Sequence, residues 1–289
     1  MHRKLLAALV LAAALICGCG AAARPADPAA SASDPVGIGD ASGAVVPAGS
    51  QSSPASPTAS PSPSPPALPL AGRVVGIDPG HNGGNFTDPG FINQLIWNGQ
   101  ESETCDTTGT ETAAGFTEAS FNFDVATDLR ADLIAAGARV VMTRQDNTGA
   151  GPCVTTRAQI LNNAHADVAI DIHADGGPSW GRGFTVLEPV ADGPNDAVIS
   201  SSLQFGADVR AALLRGTPMP ESNYYGTDGL ITRNDLAGLN LTTVPKVLIE
   251  CGNMPNSTDA ALLASSAFQQ QLARALTAAI MVFLTGRTG

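Results

Sequence analysis

Lysine is nearly missing from this 289-residue chain, which holds only Lys4 and Lys246. With 15 Lys and Arg against 26 Asp and Glu, the formal net charge is -11. A nucleic acid or an anionic membrane surface demands clustered cations, so neither is expected as the main partner. Aromatic residues make up 4% of the chain. Aliphatic side chains must therefore fill the core, and the 44% hydrophobic content is enough for a substantial one. No apolar run reaches the ~20 residues that span a bilayer as a helix, and no internal repeat is visible, which excludes a solenoid or propeller.

Residues 2–4 (His-Arg-Lys), the apolar run from Leu5 to Ile16 and the small residues after it have the charge, length and flank of a secretory signal over residues 1–19. Export is expected, to the cell envelope or beyond it. Ile16-Cys17-Gly18-Cys19 resembles a bacterial lipobox, although Cys17 departs from the pattern. Two readings follow: lipidation at Cys19 with a membrane tether, or plain secretion.

Residues 20–70 are Ala, Ser, Pro and Gly, ending in SPASPTASPSPSPPALP. Such a segment buries no apolar surface, so a disordered, partly polyproline linker is expected there. In an exported protein the remaining cysteines can pair. Cys105 and Cys153 both lie in Gly/Thr-rich loop sequence, where a disulfide would restrain two long connections. Cys251 ends an apolar strand and reads as a buried thiol.

From residue 71 the pattern alternates strand with helix. Arg73–Asp78 is a short Val/Ile run stopped by Pro79-Gly80, and residues 82–117 follow as a long loop of the kind that is usually functional. Thr117 then suits a helix N-cap, and Phe121, Val125, Leu129 and Leu133 mark one buried face of a helix that Gly137 ends. Strands are predicted at 138–143, 167–172, 183–190 and 244–249, and helices at 155–166, 199–214 and 259–284, with 216–243 as loop. This alternation predicts a single α/β domain over 71–289, with a mainly parallel central sheet flanked by helices on both faces.

Three groups able to bind a metal or activate its water fall at equivalent places in that plan. His81, His173 and Glu250 each follow the carboxyl end of a predicted strand, the edge of a parallel sheet where ligands bind. Glu118 opens the helix after the first strand and can point back to the same edge. Two imidazoles and one carboxylate recur around catalytic zinc with a fourth position left for water, and a further carboxylate can take that water's proton.

These residues resemble a known family. IDPGHNGG, the glutamate of TEASF, DIHAD and IECGNMPN look like the motifs of the zinc-dependent N-acetylmuramoyl-L-alanine amidases of the AmiC-like type, in order, over about residues 73–284. The resemblance implies one Zn2+ per chain on His81, Glu118 and His173, with Glu250 as the catalytic carboxylate. It implies hydrolysis of the amide between the lactyl group of N-acetylmuramic acid and L-alanine of the stem peptide, with peptidoglycan or muropeptides as the substrate, and a monomer is expected. The alternatives are a zinc peptidase acting within the stem and a non-catalytic wall-binding homologue.

The neighbouring residues carry lesser expectations. Glu111 or Asp88 would be the substitute ligand if Glu118 served only the helix dipole. Asp78 and Asp171 precede the histidines closely and are candidates to orient an imidazole. Arg144 and Arg157 are expected in structural salt bridges or caps. Asn253 and Asn256 either line the substrate site or form the turn that Pro255 suggests.

Overall fold

The computed structural model describes residues 67–286, which all lie within one compact unit. The predicted signal, the lipobox at Cys19 and nearly all of the linker lie outside the described residues. Among the described residues no helix is long and apolar enough to cross a membrane.

Eight strands form, in chain order: β1 (Val74–Pro79), β2 (Leu95–Trp97), β3 (Ser102–Thr104), β4 (Arg139–Met142), β5 (Val168–Asp175), β6 (Thr185–Pro189), β7 (Leu230–Arg233) and β8 (Lys246–Asn253). Between them lie helices α1 (Pro89–Ile92), α2 (Glu118–Ala135), α3 (Val154–Asn163), α4 (Ile199–Gly216) and α5 (Ala237–Asn240), and α6 (Ser257–Leu263) and α7 (Ser266–Thr285) follow β8. Six strands make the central sheet in the order β4-β1-β5-β8-β6-β7, while β2 and β3 pair as a separate antiparallel hairpin. The sheet is parallel except at the β6–β8 seam, where the pairing is antiparallel. The expected mainly parallel α/β fold is present.

Why α2 starts where it does is local. The Thr117 side chain accepts a hydrogen bond from Ser120 N, and Gly137 leaves the helix at φ +97°, a conformation that suits glycine. Its buried stripe, including Phe121, Val125, Leu129 and Leu133, packs on β1 and β5, and α4 and α7 complete this layer. The opposite face of the sheet carries α3 and α5 over smaller apolar clusters, Leu161 with Ala169 and Leu239 with Leu248.

β5 and β8 run further at their carboxyl ends than periodicity suggests, so His173 and Glu250 stand inside them. Alternation then decides which way they face. Val168, Ile170, Ile172 and Ala174 of β5 enter the main core, as do Val75 and Ile77 of β1 and Val247, Ile249 and Cys251 of β8. Asp78, Asp171, His173, Lys246 and Glu250 therefore share the other face. The charged side chains of β1, β5 and β8 thus lie on one side of the sheet, opposite the main apolar core.

Three other expectations change. The segment 216–243 contains β7 and α5, and the predicted helix over 259–284 is two helices, α6 and α7, separated near Ala264 and Ser265. The long 82–117 connection is not structureless: α1 and the β2–β3 hairpin lie in it. Its polar side chains hold it in place, with Asn85 Nδ2 donating to Thr107 O within the connection at 2.6 Å and Asn82 Nδ2 to Gly151 O of the loop before α3 at 2.7 Å.

Cys105 and Cys153 come together in that region as two buried thiols. Burial and the neighbouring Cys153 push the Cys105 thiol up to about 12.

Candidate metal centre and active site

β1 ends at Pro79, and the chain turns sharply so that His81 takes φ +56°. That left-handed conformation is strained for a residue with a β-carbon, so the surroundings must hold it. Arg144 donates through Nε to Pro79 O at 2.9 Å and through Nη2 to Ala119 O at 2.8 Å, while Arg157 Nη2 donates to His81 O at 2.8 Å. The two arginines are structural, as expected. Gly80 is required for a separate reason: a β-carbon there would overlap the His173 ring.

His81, Glu118 and His173 offer ligand atoms that all lie within 4.8 Å of one another. His81 Nε2 is 3.2 Å and His173 Nδ1 2.8 Å from the same carboxylate oxygen, Glu118 Oε1. The two rings meet edge to face with centroids 4.9 Å apart. Glu118 is fixed from behind, since Thr110 N donates to its Oε2 at 3.0 Å and Asn122 Nδ2 to its Oε1 at 3.5 Å. Glu111 and Asp88 are exposed, and Asp88 caps α1 instead.

Each imidazole has a carboxylate on its far nitrogen. Asp171 Oδ1 lies 3.3 Å from His173 Nε2, one of the two orientations anticipated. The other is filled by Asp106, whose Oδ1 lies 3.1 Å from His81 Nδ1, and not by Asp78. Asp106 was missed because it comes from the 82–117 connection, where no periodic pattern marks a functional position. The asparagines 82 and 85 that close that connection are the available signal.

Asp78 serves a deeper layer. Its Oδ1 accepts from Thr143 Oγ1 at 2.6 Å and Arg157 Nη1 at 3.0 Å, and its Oδ2 accepts from Lys246 Nζ at 3.0 Å. Lys246 Nζ is also 3.3 Å from Asp171, and Arg157 Nη2 3.2 Å from Asp106. A continuous path of alternating charge thus runs from His173 through Asp171, Lys246, Asp78, Arg157 and Asp106 to His81. All five intermediate side chains are buried.

Electrostatics in the site follow from this crowding. Burial works against a charged His81, yet Glu118 and Asp106 reverse that and hold its pKa up at about 9. His173 is also driven well up, with burial opposed and overcome by Asp171 and Glu118. Burial would raise Glu118, but the two imidazoles hold it well below the usual carboxylate range. The cluster is thus a site of strong negative potential that favours positive charge, whether protons or a divalent cation.

Glu250 behaves in the opposite way. Burial pushes its carboxyl up to about 8, with His173 opposing and Glu118 and Asp175 adding to the rise. Its Oε2 is shielded from solvent and has no hydrogen-bond partner in the protein. A cation beside it would oppose the upward shift. Glu250, His81, Glu118 and His173 line one cavity of about 550 Å3, which also reaches Tyr224, Arg233 and the apolar Leu187, Leu239 and Leu248.

Asn253 and Asn256 are not among the residues lining it. Asn253 Nδ2 donates to Pro178 O and Gly181 O at 2.8 and 2.7 Å, and Asn256 caps α6 while its Nδ2 donates to Ser179 O at 2.9 Å. Their amide nitrogens are taken by backbone partners, and Asn256 N donates to Asn253 O at 3.1 Å across the turn at Pro255.

The donor set fits a borderline divalent cation such as zinc: two neutral-capable imidazoles, one carboxylate and space on the cavity side. Hard oxygen-seeking cations would want more carboxylates.

Comparison with known proteins agrees with this geometry. The family model described as N-acetylmuramoyl-L-alanine amidase matches residues 75–282. An N-acetylmuramoyl-L-alanine amidase of Mycobacterium tuberculosis is 39% identical over 221 residues, covering 74% of this chain and 88% of that protein. Among solved structures, the N-acetylmuramyl-L-alanine amidase Ami1 of Mycobacterium smegmatis superposes with a TM-score of 0.71 at 40% identity, over 75% of this chain and 99% of that one. The apo form of Ami1 from Mycobacterium abscessus gives 0.70 at 39%, over 74% and 100%.

Proposed function

This chain belongs to the N-acetylmuramoyl-L-alanine amidase family, and from that premise we propose that it is a peptidoglycan hydrolase cutting the amide between the N-acetylmuramic acid lactyl group and L-alanine of the stem peptide. The observation that supports this most directly is the meeting of His81, Glu118 and His173 around one point, with the unpartnered Oε2 of Glu250 in the same cavity.

In this reading His81 Nε2, His173 Nδ1 and Glu118 hold a single zinc ion. Bound there, zinc supplies Lewis acidity, polarising the scissile carbonyl and making water easier to deprotonate. Glu250 takes the proton of the attacking water and passes it to the leaving amine of L-alanine. With one carboxylate oxygen buried and unpartnered, Glu250 has a free position for that proton between the two transfers. Asp106 and Asp171 keep the imidazoles turned so that the correct nitrogens face the metal. Leu187, Leu239 and Leu248 give the cavity an apolar wall that limits water around the reacting groups.

The rest of the chain is assigned to delivery. Residues 1–19 act as the export signal, either lipidated at Cys19 or cleaved for secretion, and residues 20–70 act as the linker to a monomeric catalytic domain over 71–289. An exported protein meets an oxidising compartment, so the adjacent Cys105 and Cys153 thiols become a disulfide after export.

The test is a mass-resolved digest of defined muropeptides by the purified protein, with added zinc and with a chelator. Intact stems and free lactyl carboxylates that appear only without the chelator support the reading. Shortened stems would make the protein a peptidase, and no product would make it a wall-binding homologue.

A further inference from the structure

Aromatic residues are scarce here, yet Trp180 is displayed with 69% of its surface exposed. It sits on the turn after β5, and its ring meets Tyr224 edge-on with centroids 6.4 Å apart. Tyr224 lines the cavity that holds His81, His173 and Glu250, so Trp180 stands one ring outside the wall of the site.

The exposure is not the looseness of a mobile loop. Asn253 and Asn256 tie Pro178 O, Ser179 O and Gly181 O from below, and Gly181 N donates to Pro178 O at 2.8 Å. From the side, Tyr224 is anchored by its hydroxyl, which donates to Asp175 Oδ2 at 2.6 Å. The turn is moulded onto that ring so closely that a β-carbon at Gly177 or Gly181 would overlap it. Several side chains and two glycines are thus committed to holding the turn that displays this indole to solvent, an arrangement that hydrophobic burial opposes.

A flat indole on a well-anchored turn at the rim of a cleft suits one class of ligand well. The C–H face of a pyranose ring is apolar with partial positive charge, and it stacks on the negative face of an aromatic ring. We propose that Trp180, backed by Tyr224, is a binding subsite for a sugar of the glycan strand next to the N-acetylmuramic acid whose lactyl amide is cut. This rests on the amidase reading for the identity of the strand. The subsite favours long glycan over small muropeptides, and it acts on binding, not on the chemical step.

Two measurements test it with Trp180→Ala and the aromatic replacement Trp180→Phe. In calorimetric titration with a stem-free GlcNAc-MurNAc tetrasaccharide, the wild-type protein binds, Trp180→Ala loses affinity roughly tenfold, and Trp180→Phe retains most of it. In hydrolysis, Trp180→Ala raises KM on a tetrasaccharide-borne stem with little change in kcat, and leaves a single-sugar muramoyl dipeptide within about twofold. No glycan binding by the wild-type protein, or equal binding by wild type and Trp180→Ala, overturns the subsite. An equal loss on both substrates also overturns it, because the indole would then touch the muramoyl-peptide itself. Glycan binding that needs Trp180, in a protein that cleaves neither substrate, leaves the subsite standing and defeats the amidase reading.

Discussion

His173 and Glu250 are register partners on the neighbouring parallel strands β5 and β8. Opposed residues on adjacent strands point to the same side of a sheet, so the candidate base is set beside a candidate ligand by backbone pairing alone. The register slips just beyond them, between His173 and Asp175, so the alignment is kept where the chemistry needs it.

Glu250→Gln should therefore fold, keep its metal and lose most turnover. A general base contributes on the order of 10²- to 10⁴-fold, so kcat should fall by at least 10². Metal content by mass spectrometry and steady-state rates check this together. Loss of metal in the variant would instead make Glu250 a ligand.

Asp106→Ala removes the partner of His81 Nδ1 while leaving all three candidate ligands in place. Metal affinity should drop about 10- to 100-fold, as removal of a ligand-orienting carboxylate typically causes. Competition with a fluorescent chelator measures it, and an unchanged dissociation constant would remove Asp106 from the site.

Lys246→Met leaves Asp78 and Asp171 buried without their shared cation. Breaking a buried charge pair from one side costs about 3 to 5 kcal/mol. Urea denaturation of the metal-free protein is the measurement, and a loss under about 1 kcal/mol would show that the carboxylates find other partners.

The same network sets a pH dependence. Burial alone would raise Asp78, but Lys246 and Arg157, with the Thr143 hydroxyl, hold it far below the usual carboxylate range. Stability from a depressed carboxylate is present above its unfolded value of about 4 and is lost as pH falls through the folded one. Lys246 is shifted up, with burial overcome by Asp171 and Asp78, so its contribution is present below about 10.4 and fades as pH rises through the folded value. In thermal unfolding, the contribution of this pair, taken as the difference between the wild-type protein and Lys246→Met, should thus be constant near neutrality and shrink in strong acid. Lys246→Met should begin its acid decline at higher pH than the wild-type protein.

Gly80→Ala tests the turn between β1 and the metal centre. A β-carbon there overlaps the His173 ring, so the ring must move away from Glu118. Metal affinity should fall well before the fold is lost, and circular dichroism beside a metal titration separates the two. Unchanged affinity would mean that the turn has slack.

Much of this protein is decided within short stretches of its sequence. Thr117 with Ser120, and the spacing of Phe121, Val125, Leu129 and Leu133, settle α2 because capping and side-chain periodicity act within a turn or two. The Val/Ile runs of β1, β5 and β8 settle the strands, but not how far β5 and β8 run, so the facing of His173 and Glu250 was decided by the structure. The motifs around His81, Glu118, His173 and Glu250 carried the likeness to the amidases. Tertiary structure decided what depends on contacts between distant segments. Which carboxylate turns His81 depended on where the 82–117 connection comes to rest, and Asp106 stands 25 residues away. The pairing of Lys246 with Asp78 joins residues 168 apart and exists because the strand order places β1 and β8 on either side of β5. The antiparallel β6 and the short β7 are set by which sheet edge was free, and the asparagines after Glu250 by the turn they had to hold. Local sterics can be read along a chain, but charge pairing and edge pairing are properties of the folded neighbourhood.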